Sequence, residues 1–344
     1  MNFPVPGFFD PTTAENIFMV PYEQRFAEAL AWRKKHNLHT AARDGLRVGL
    51  LLIDVQNTFC LPTGQLYVAG QSGRGAVEDS IRTAEFIYRE IGNISKIYCT
   101  MDTHELMQIF HRSFWVDDAG NHPNPATTIA VGDVLSGKWL VNPAMAGNIL
   151  GSAAQHVGLQ KFALHYVEAL AKKGRYQLMV WPHHAILGGA DHALVSLVHE
   201  AVFFHAVTRQ SRPGLEVKGG NPLTENYSVL SPEVLETNDG MAIAQRNVKF
   251  IQMLLDNDIL IIGGQAKSHC VAWTIHDLLT DIKAKDPKLA EKVYLLEDCT
   301  SPVVIPGVYD FTPDAEKAFT DFVAAGMHLV KSSDPLETWK GVTL

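Results

Sequence analysis

The sequence predicts an α/β fold of three layers (αβα): a mainly parallel sheet covered by helices on both faces, extended by an N-terminal arm and a helical insertion. Three observations carry that expectation. From Arg47 onward, short apolar runs alternate with segments of helical spacing, as βαβ units require. Several runs, residues 48–53 and 259–262 above all, are almost continuously apolar, as in strands buried on both faces. Reactive side chains follow the runs: Asp54, Asp102, His104, Lys218 and Cys270 each fall past a predicted strand end. Ligands of such sheets bind at the carboxyl ends of the strands, so five reactive groups along one edge point to a chemical site.

Taken in order, residues 1–46 read as an extension. Phe3, Pro4, Pro6, Phe8, Phe9 and Pro11 suggest an extended arm that lays its aromatics on the domain or on a neighbouring subunit. A helix is expected over residues 22–36, with Phe26, Ala29, Leu30 and Trp32 on its apolar face. The domain proper runs from 47 to 344. Its first strand, 48–53, is followed by a long loop, 56–75, and a helix over 76–91. Further strands are expected at 94–101, 215–217, 259–262, 293–296 and 327–330, the last preceded by a helix over 314–325. The interval 116–180 breaks the alternation. It opens as a polar loop, DDAGNHPNPATT, and continues as one helix over 149–173, stopped by Gly174. We read it as an insertion, either a lid or an assembly surface.

The chain of 344 residues can bury a large core, and its 47% hydrophobic and 19% charged residues are those of an ordinary globular protein. A net charge of −8 with no basic block argues against nucleic acid as a partner. No apolar run is long enough to span a bilayer, so no membrane is expected either. The N-terminus lacks the cationic start and apolar core of a signal peptide. Cys60, Cys99, Cys270 and Cys299 are too few for a disulfide scaffold, so a reduced, cytoplasmic protein is expected.

Cys270 follows Gly263, Gly264 and a polar loop, and opens a segment of helical spacing. The positive end of a helix favours a thiolate there; the plain alternative is a small buried residue starting a helix. Asp54 can be a base for that thiol, an ion-pair partner or a cap. Lys218, in VKGGNPLTENYS, can be a cation at the site or a solvated charge. Together the three are a nucleophile, a base and a cation, the parts of a covalent acyl-transfer site. Asp102 and His104, with His111 in FHRSFW and His183 and His184 in WPHHAILGG, suit zinc, iron or manganese. Their spacing is no short finger motif, so proximity must come from the fold, and 15 histidines also supply accidental clusters. Lys138, in SGKW, is assigned no role.

The segments DVQNTFC, DTH, HRSF, WPHH, KGGNPLTENYS and GGQAKSHCV, in this order over most of residues 47–335, resemble the isochorismatase-like cysteine hydrolases and their nicotinamidase/pyrazinamidase branch. The resemblance implies a catalytic triad of Asp54, Lys218 and Cys270. It implies one divalent transition metal, zinc or iron before manganese, held by Asp102, His104 and His184, with His111 as a fourth candidate. It places Phe59 and Trp181 beside an aromatic amide substrate. It also puts a cis peptide at Gln265–Ala266, which would aim the amides of Ala266 and Cys270 at an oxyanion. The implied reaction is hydrolysis of nicotinamide to nicotinate and ammonia through a thioester, in a homo-oligomer. This chain departs from the family in DTH, where an aromatic usually separates the ligands, in Ala185 after WPHH, and in its two additions. Two rivals remain: a metal-independent relative acting on carbamoyl or ureido compounds, and a catalytically idle assembly module.

Overall fold

Val48–Ile53 (β1) occupies the middle of a six-stranded sheet, and all six of its residues are buried. Lys96–Asp102 (β2), Gly214–Lys218 (β3), Ile259–Gly264 (β4), Val293–Leu296 (β5) and His328–Val330 (β6) complete the order β6-β5-β4-β1-β2-β3. Every pairing in it is parallel. The computed structural model describes residues 3–174 and 176–343, and all six expected strands are in this one sheet.

The longer helices are Tyr22–Lys35 (α1), Gly75–Arg89 (α2), Ala144–Leu150 (α3), His156–Lys173 (α4), Ser196–Arg209 (α5), Val248–Leu255 (α6), Ala272–Lys285 (α7) and Thr312–Ala324 (α8). Strand alternation sorts the core. Leu50 and Leu52 pack with α1, α2 and α5, while Leu51 and Ile53 pack with α6, α7 and α8. These are the three layers the sequence predicts. Among the described residues no helix is long and apolar enough to cross a membrane.

The chain runs outward from β1 through β2 to β3, then returns to the other side of β1 as β4. That reversal is the switch point where an open α/β sheet forms its crevice. Close approach there dictates a glycine: Gly264 has φ +116, and a Cβ on it would stand 2.1 Å from the Ile53 carbonyl oxygen.

Several expectations change. No helix was expected at α5 or α6. The single helix expected over 149–173 is two, α3 and α4, parted by Gly151 at φ 75, although Gly174 does end α4 in the left-handed conformation. The apolar face of α4 needs no partner subunit: Leu159, Phe162, Tyr166 and Leu170 are buried in a third cluster with Phe110, Trp115 and Trp181. On α1, Ala29 is buried, but Phe26 and Leu30 are 46% and 42% exposed. Arg25 turns inward instead, 2.7 Å from Glu200 and 3.8 Å above the Phe8 ring. The arm itself enters the first core cluster through Phe3.

Candidate active site

Asp54 follows β1 directly, is fully buried and has φ 48, a left-handed conformation uncommon outside glycine. Thr100 of β2 fixes it from two sides. The Asp54 amide donates to Thr100 Oγ1 at 3.0 Å, and that hydroxyl donates to Asp54 Oδ1 at 2.5 Å. Oδ2 is left facing Lys218.

Lys218, the last residue of β3, ties the site together. Its Nζ donates to the Asn226 carbonyl at 2.8 Å, and lies 3.0 Å from Asp54 Oδ2, 2.9 Å from Asp102 Oδ1 and 3.7 Å from Cys270 Sγ. Burial alone would lower the ammonium, but Asp102 and Asp54 hold it well above the usual lysine range. Burial likewise favours a neutral Asp102, yet the Lys218 ammonium beside it helps to hold that carboxyl well below the usual range. Asp54 goes the other way: burial raises it against the pull of Lys218. The two carboxylates beside one cation are thus unequal, Asp102 ionised and Asp54 ready to carry a proton.

Cys270 sits in the π-helical turn Lys267–Val271 that precedes α7. Helical structure therefore begins three residues earlier than expected, and the His269 and Val271 amides both turn onto the Ala266 carbonyl. The expected resting thiolate is also corrected. Burial pushes Cys270 well above the ordinary thiol range, and the charges of Asp54 and Asp102 add to this against Lys218. Cys270 rests as a thiol, hydrogen-bonded to Asp54. The Gln265–Ala266 peptide is cis, and among the described residues the Ala266 amide meets no acceptor.

On the other side of Lys218, a carboxylate O of Asp102 and a ring nitrogen from each of His104 and His184 lie within 4.8 Å of one another. Two clamps bring them there. The His104 amide donates to Ala185 O at 2.9 Å and the Trp181 amide to Phe110 O at 2.9 Å, which fastens the WPHH loop along the loop after β2. Gly219 has φ +87, and a Cβ on it would meet Asp102 Oδ1 at 2.7 Å and His104 Cε1 at 2.8 Å. His104 Nδ1 is 3.1 Å from Gly219 O and His184 Nδ1 is 2.8 Å from Pro182 O. Carbonyls only accept, so both Nδ1 atoms carry the proton. Both Nε2 lone pairs then face Asp102 Oδ2, at 2.9 and 3.6 Å. Two lone pairs converging on a carboxylate need a cation between them. The donor set, with each imidazole oriented by a carbonyl, fits zinc or iron.

His111 is beside this group but not in it. Its ring is 5.8 Å from that of His104 and 6.4 Å from that of His184, its two nitrogens meet no partner among the described residues, and burial pushes it down to about 2. His183 packs on His111 at 4.3 Å and reaches Leu106 O at 3.1 Å, away from the trio.

Between the nucleophile and the trio lies a narrow slot whose walls include Phe59, Trp181, Tyr227, His269 and Ala266. Its free space is small, enough for about two waters. Sequence reasoning missed four residues here. Thr100 is a polar residue within a buried strand, which was a usable signal. Gln56 bridges strand ends, accepting from the Asp102 amide at 2.7 Å and donating to the Asp102 carbonyl at 2.8 Å. Glu225 and His269 line the slot, and burial, with Asp102 adding, raises Glu225 well above the usual carboxyl range. Nothing in the pattern distinguished those two from ordinary loop residues.

No family model matches the chain, and no curated protein matches it by sequence. Solved structures do. A nicotinamidase/pyrazinamidase of Acinetobacter baumanii is 19% identical, with 85% of this chain and 99% of that one covered and a TM-score of 0.48. The yeast nicotinamidase bound to nicotinaldehyde is 16% identical over 83% and 99%, with a TM-score of 0.49. The Pyrococcus horikoshii pyrazinamidase in complex with zinc is 16% identical over 83% and 99%, with a TM-score of 0.45. At such identities and scores the likeness assigns this chain neither substrate nor metal.

Proposed function

We propose that this chain is a metal-containing cysteine amidohydrolase of the nicotinamidase type, converting a ring carboxamide and water to the acid and ammonia. The observation that carries the reading is the single ammonium of Lys218 in contact with Asp54, Asp102 and Cys270 at once. It joins the reacting thiol and its base to the Asp102, His104 and His184 group across one slot.

Cys270 gives its proton to Asp54 as sulfur attacks the amide carbon. The carbonyl π pair moves to oxygen, where the amides of Ala266 and Cys270 hold it, a contribution of about 3–4 kcal/mol per donor. Collapse of this intermediate expels the amine with the proton from Asp54 and leaves a thioester. Water then gives a proton to Asp54 and attacks the thioester carbon. The departing sulfur recovers that proton, releasing the acid and the starting thiol. Lys218 stays charged throughout and holds Asp54 beside the sulfur. A divalent zinc or iron ion bound to Asp102, His104 and His184 would supply a Lewis-acid site for a ring nitrogen. Phe59 and Trp181 flank the ring, and the slot excludes larger amides.

Ammonia release by metal-loaded protein, measured on nicotinamide, pyrazinamide and a set of carbamoyl and ureido compounds, tests this. Turnover of the ring amides, lost in Cys270→Ala, is expected. Turnover of the ureido compounds alone would replace the reading with that of the metal-independent relatives. No turnover at all would leave an assembly module.

A further inference from the structure

Helix α1 turns its charge inward and its apolar residues to water. Its inner face carries Arg25, paired with Glu200 at 2.7 Å, and Ala29, both buried, while Phe26 and Leu30 stand nearly half exposed. A surface helix ordinarily does the reverse. Tyr22, at the start of the helix, is also exposed and lies 5.0 Å from the ring of Phe203 on α5. Met19, three residues before the helix, is 87% exposed. Single exposed apolar residues are ordinary, but a stripe of them along one helix marks an interaction surface.

The two ends of the stripe carry opposite charges. Glu23, Phe26, Ala27, Leu30 and Lys34 follow the spacing i, i+3, i+4, i+7, i+11, which puts them on one face over about three turns. All five are exposed. Among the described residues neither the Glu23 carboxylate nor the Lys34 ammonium has a hydrogen bond or an ion pair. Arg25, on the inner face, is paired with both Glu28 and Glu200. Helix α1 also precedes residue 47, so the stripe belongs to this chain's own extension and not to the segments that resemble the hydrolases.

We propose that this stripe is the seam of a homodimer, in which α1 packs antiparallel on α1 of a second copy about a two-fold axis. With the axis between residues 28 and 29, Phe26 comes to Leu30 and Glu23 to Lys34 of the other copy. Each contact occurs twice, as an isologous interface requires. The exposed Ala27 and Ala31 let the two backbones approach. Parallel pairing would instead set Glu23 against Glu23 and Lys34 against Lys34. A lipid surface would favour bases at both ends, whereas a second copy supplies a base for the acid and an acid for the base.

Analytical ultracentrifugation of the full chain tests this. Wild type is expected to sediment as two chains at about 100 μM. Phe26→Asp combined with Leu30→Asp should raise the dissociation constant by roughly 100-fold. Both side chains already face solvent, so this variant should keep the wild-type circular dichroism. The charged ends report the orientation. Glu23→Lys or Lys34→Glu alone should weaken the dimer by about 10-fold, because two attractions become two repulsions. Both substitutions in one chain should restore the wild-type affinity, and a mixture of the two single variants should form heterodimers ahead of either homodimer. A wild type that is monomeric at about 100 μM would overturn the proposal and leave the stripe to a different partner. A dimer that survives the Phe26 and Leu30 substitutions would overturn it by placing the interface elsewhere. Single charge swaps without effect would overturn the antiparallel pairing, and the proposal with it.

Discussion

The carboxyl edge of the sheet and the insertion at 116–180 are built from the same polar residue types, yet they use them in opposite ways. At the sheet edge Lys218 is buried between Asp54 and Asp102. In the insertion Lys138 pairs with Asp133 at 2.8 Å with 60% of its side chain exposed. The imidazoles of His104 and His184 converge on a carboxylate, whereas His122, His156 and His165 each meet a single backbone carbonyl, of Trp115, Val141 and Glu236. Residue type therefore says little; position relative to a strand end says much. Parallel strands place successive C-termini side by side about 4.8 Å apart, which forces charges together that a loop would let drift into water.

The largest expected effect tests the crowding of charge at the sheet edge. Asp54→Asn should lower turnover by roughly 10²–10⁴-fold, because an amide cannot take the thiol proton. The same change should make Cys270 more reactive toward iodoacetamide at a fixed pH. Asp54 raises the thiol by charge and by hydrogen bond, so its removal lowers the thiol toward the ordinary range and enlarges the thiolate fraction. Turnover and alkylation should thus move in opposite directions. If both fall together, Asp54 is not the base. In the wild type, alkylation should go to Cys270 ahead of Cys60, Cys99 and Cys299, which are fully buried and do not line the slot.

Lys218→Met should be felt in stability as well as in turnover. It leaves Asp54 and Asp102 facing each other without a cation, and breaking a buried pair in this way costs about 3–5 kcal/mol. Urea unfolding measures it. The sign of the pH dependence follows from Asp102. Its carboxyl is held below its unfolded value, so the stabilisation is present above the unfolded pKa and lost as pH falls through the folded one. In Lys218→Met this acid-side loss should begin at higher pH than in wild type. An unchanged acid limb would mean that Lys218 does not hold Asp102 ionised.

What the sequence disclosed follows the same division. β1 and β4 were legible because strands buried on both faces must be apolar throughout, and Asp54 because it ends such a run; Lys218 ends the edge strand β3, whose Leu215 and Val217 are exposed. Helix α5 was not, since SLVHEAVFFHAVTR is buried on more than one side, against α1, α2 and the sheet, and so shows no single apolar stripe. Helix α6 is only eight residues long, about two turns. Phe26 and Leu30 misled because a buried Arg25, paired with Glu200, replaces them on the inner face. The metal group could be named only through the family resemblance: the loop clamps that set His184, and not His183, beside Asp102 are backbone hydrogen bonds without a sequence signature. His184→Ala should abolish binding of one zinc or iron per chain, and His183→Ala should retain it, by metal analysis after dialysis. The reverse result would put the ligand one residue earlier.

The smallest effect is expected where the residue type is the same and the surroundings differ. Lys138→Met removes a lysine that also contacts an aspartate, at a distance within 0.2 Å of the Lys218 contacts. Distance does not separate the two lysines; solvent does. Around Lys138 water screens the pair and can hydrate both charges once it is broken, so an exposed contact of this kind contributes about 0–1 kcal/mol. Asp133 keeps its hydrogen bond from the Ala130 amide after the substitution, and no buried charge is stranded. Turnover should be unchanged and urea stability within about 1 kcal/mol of wild type. A loss approaching that of Lys218→Met would mean that the insertion surface takes part in the site, and the contrast between the two regions would fail.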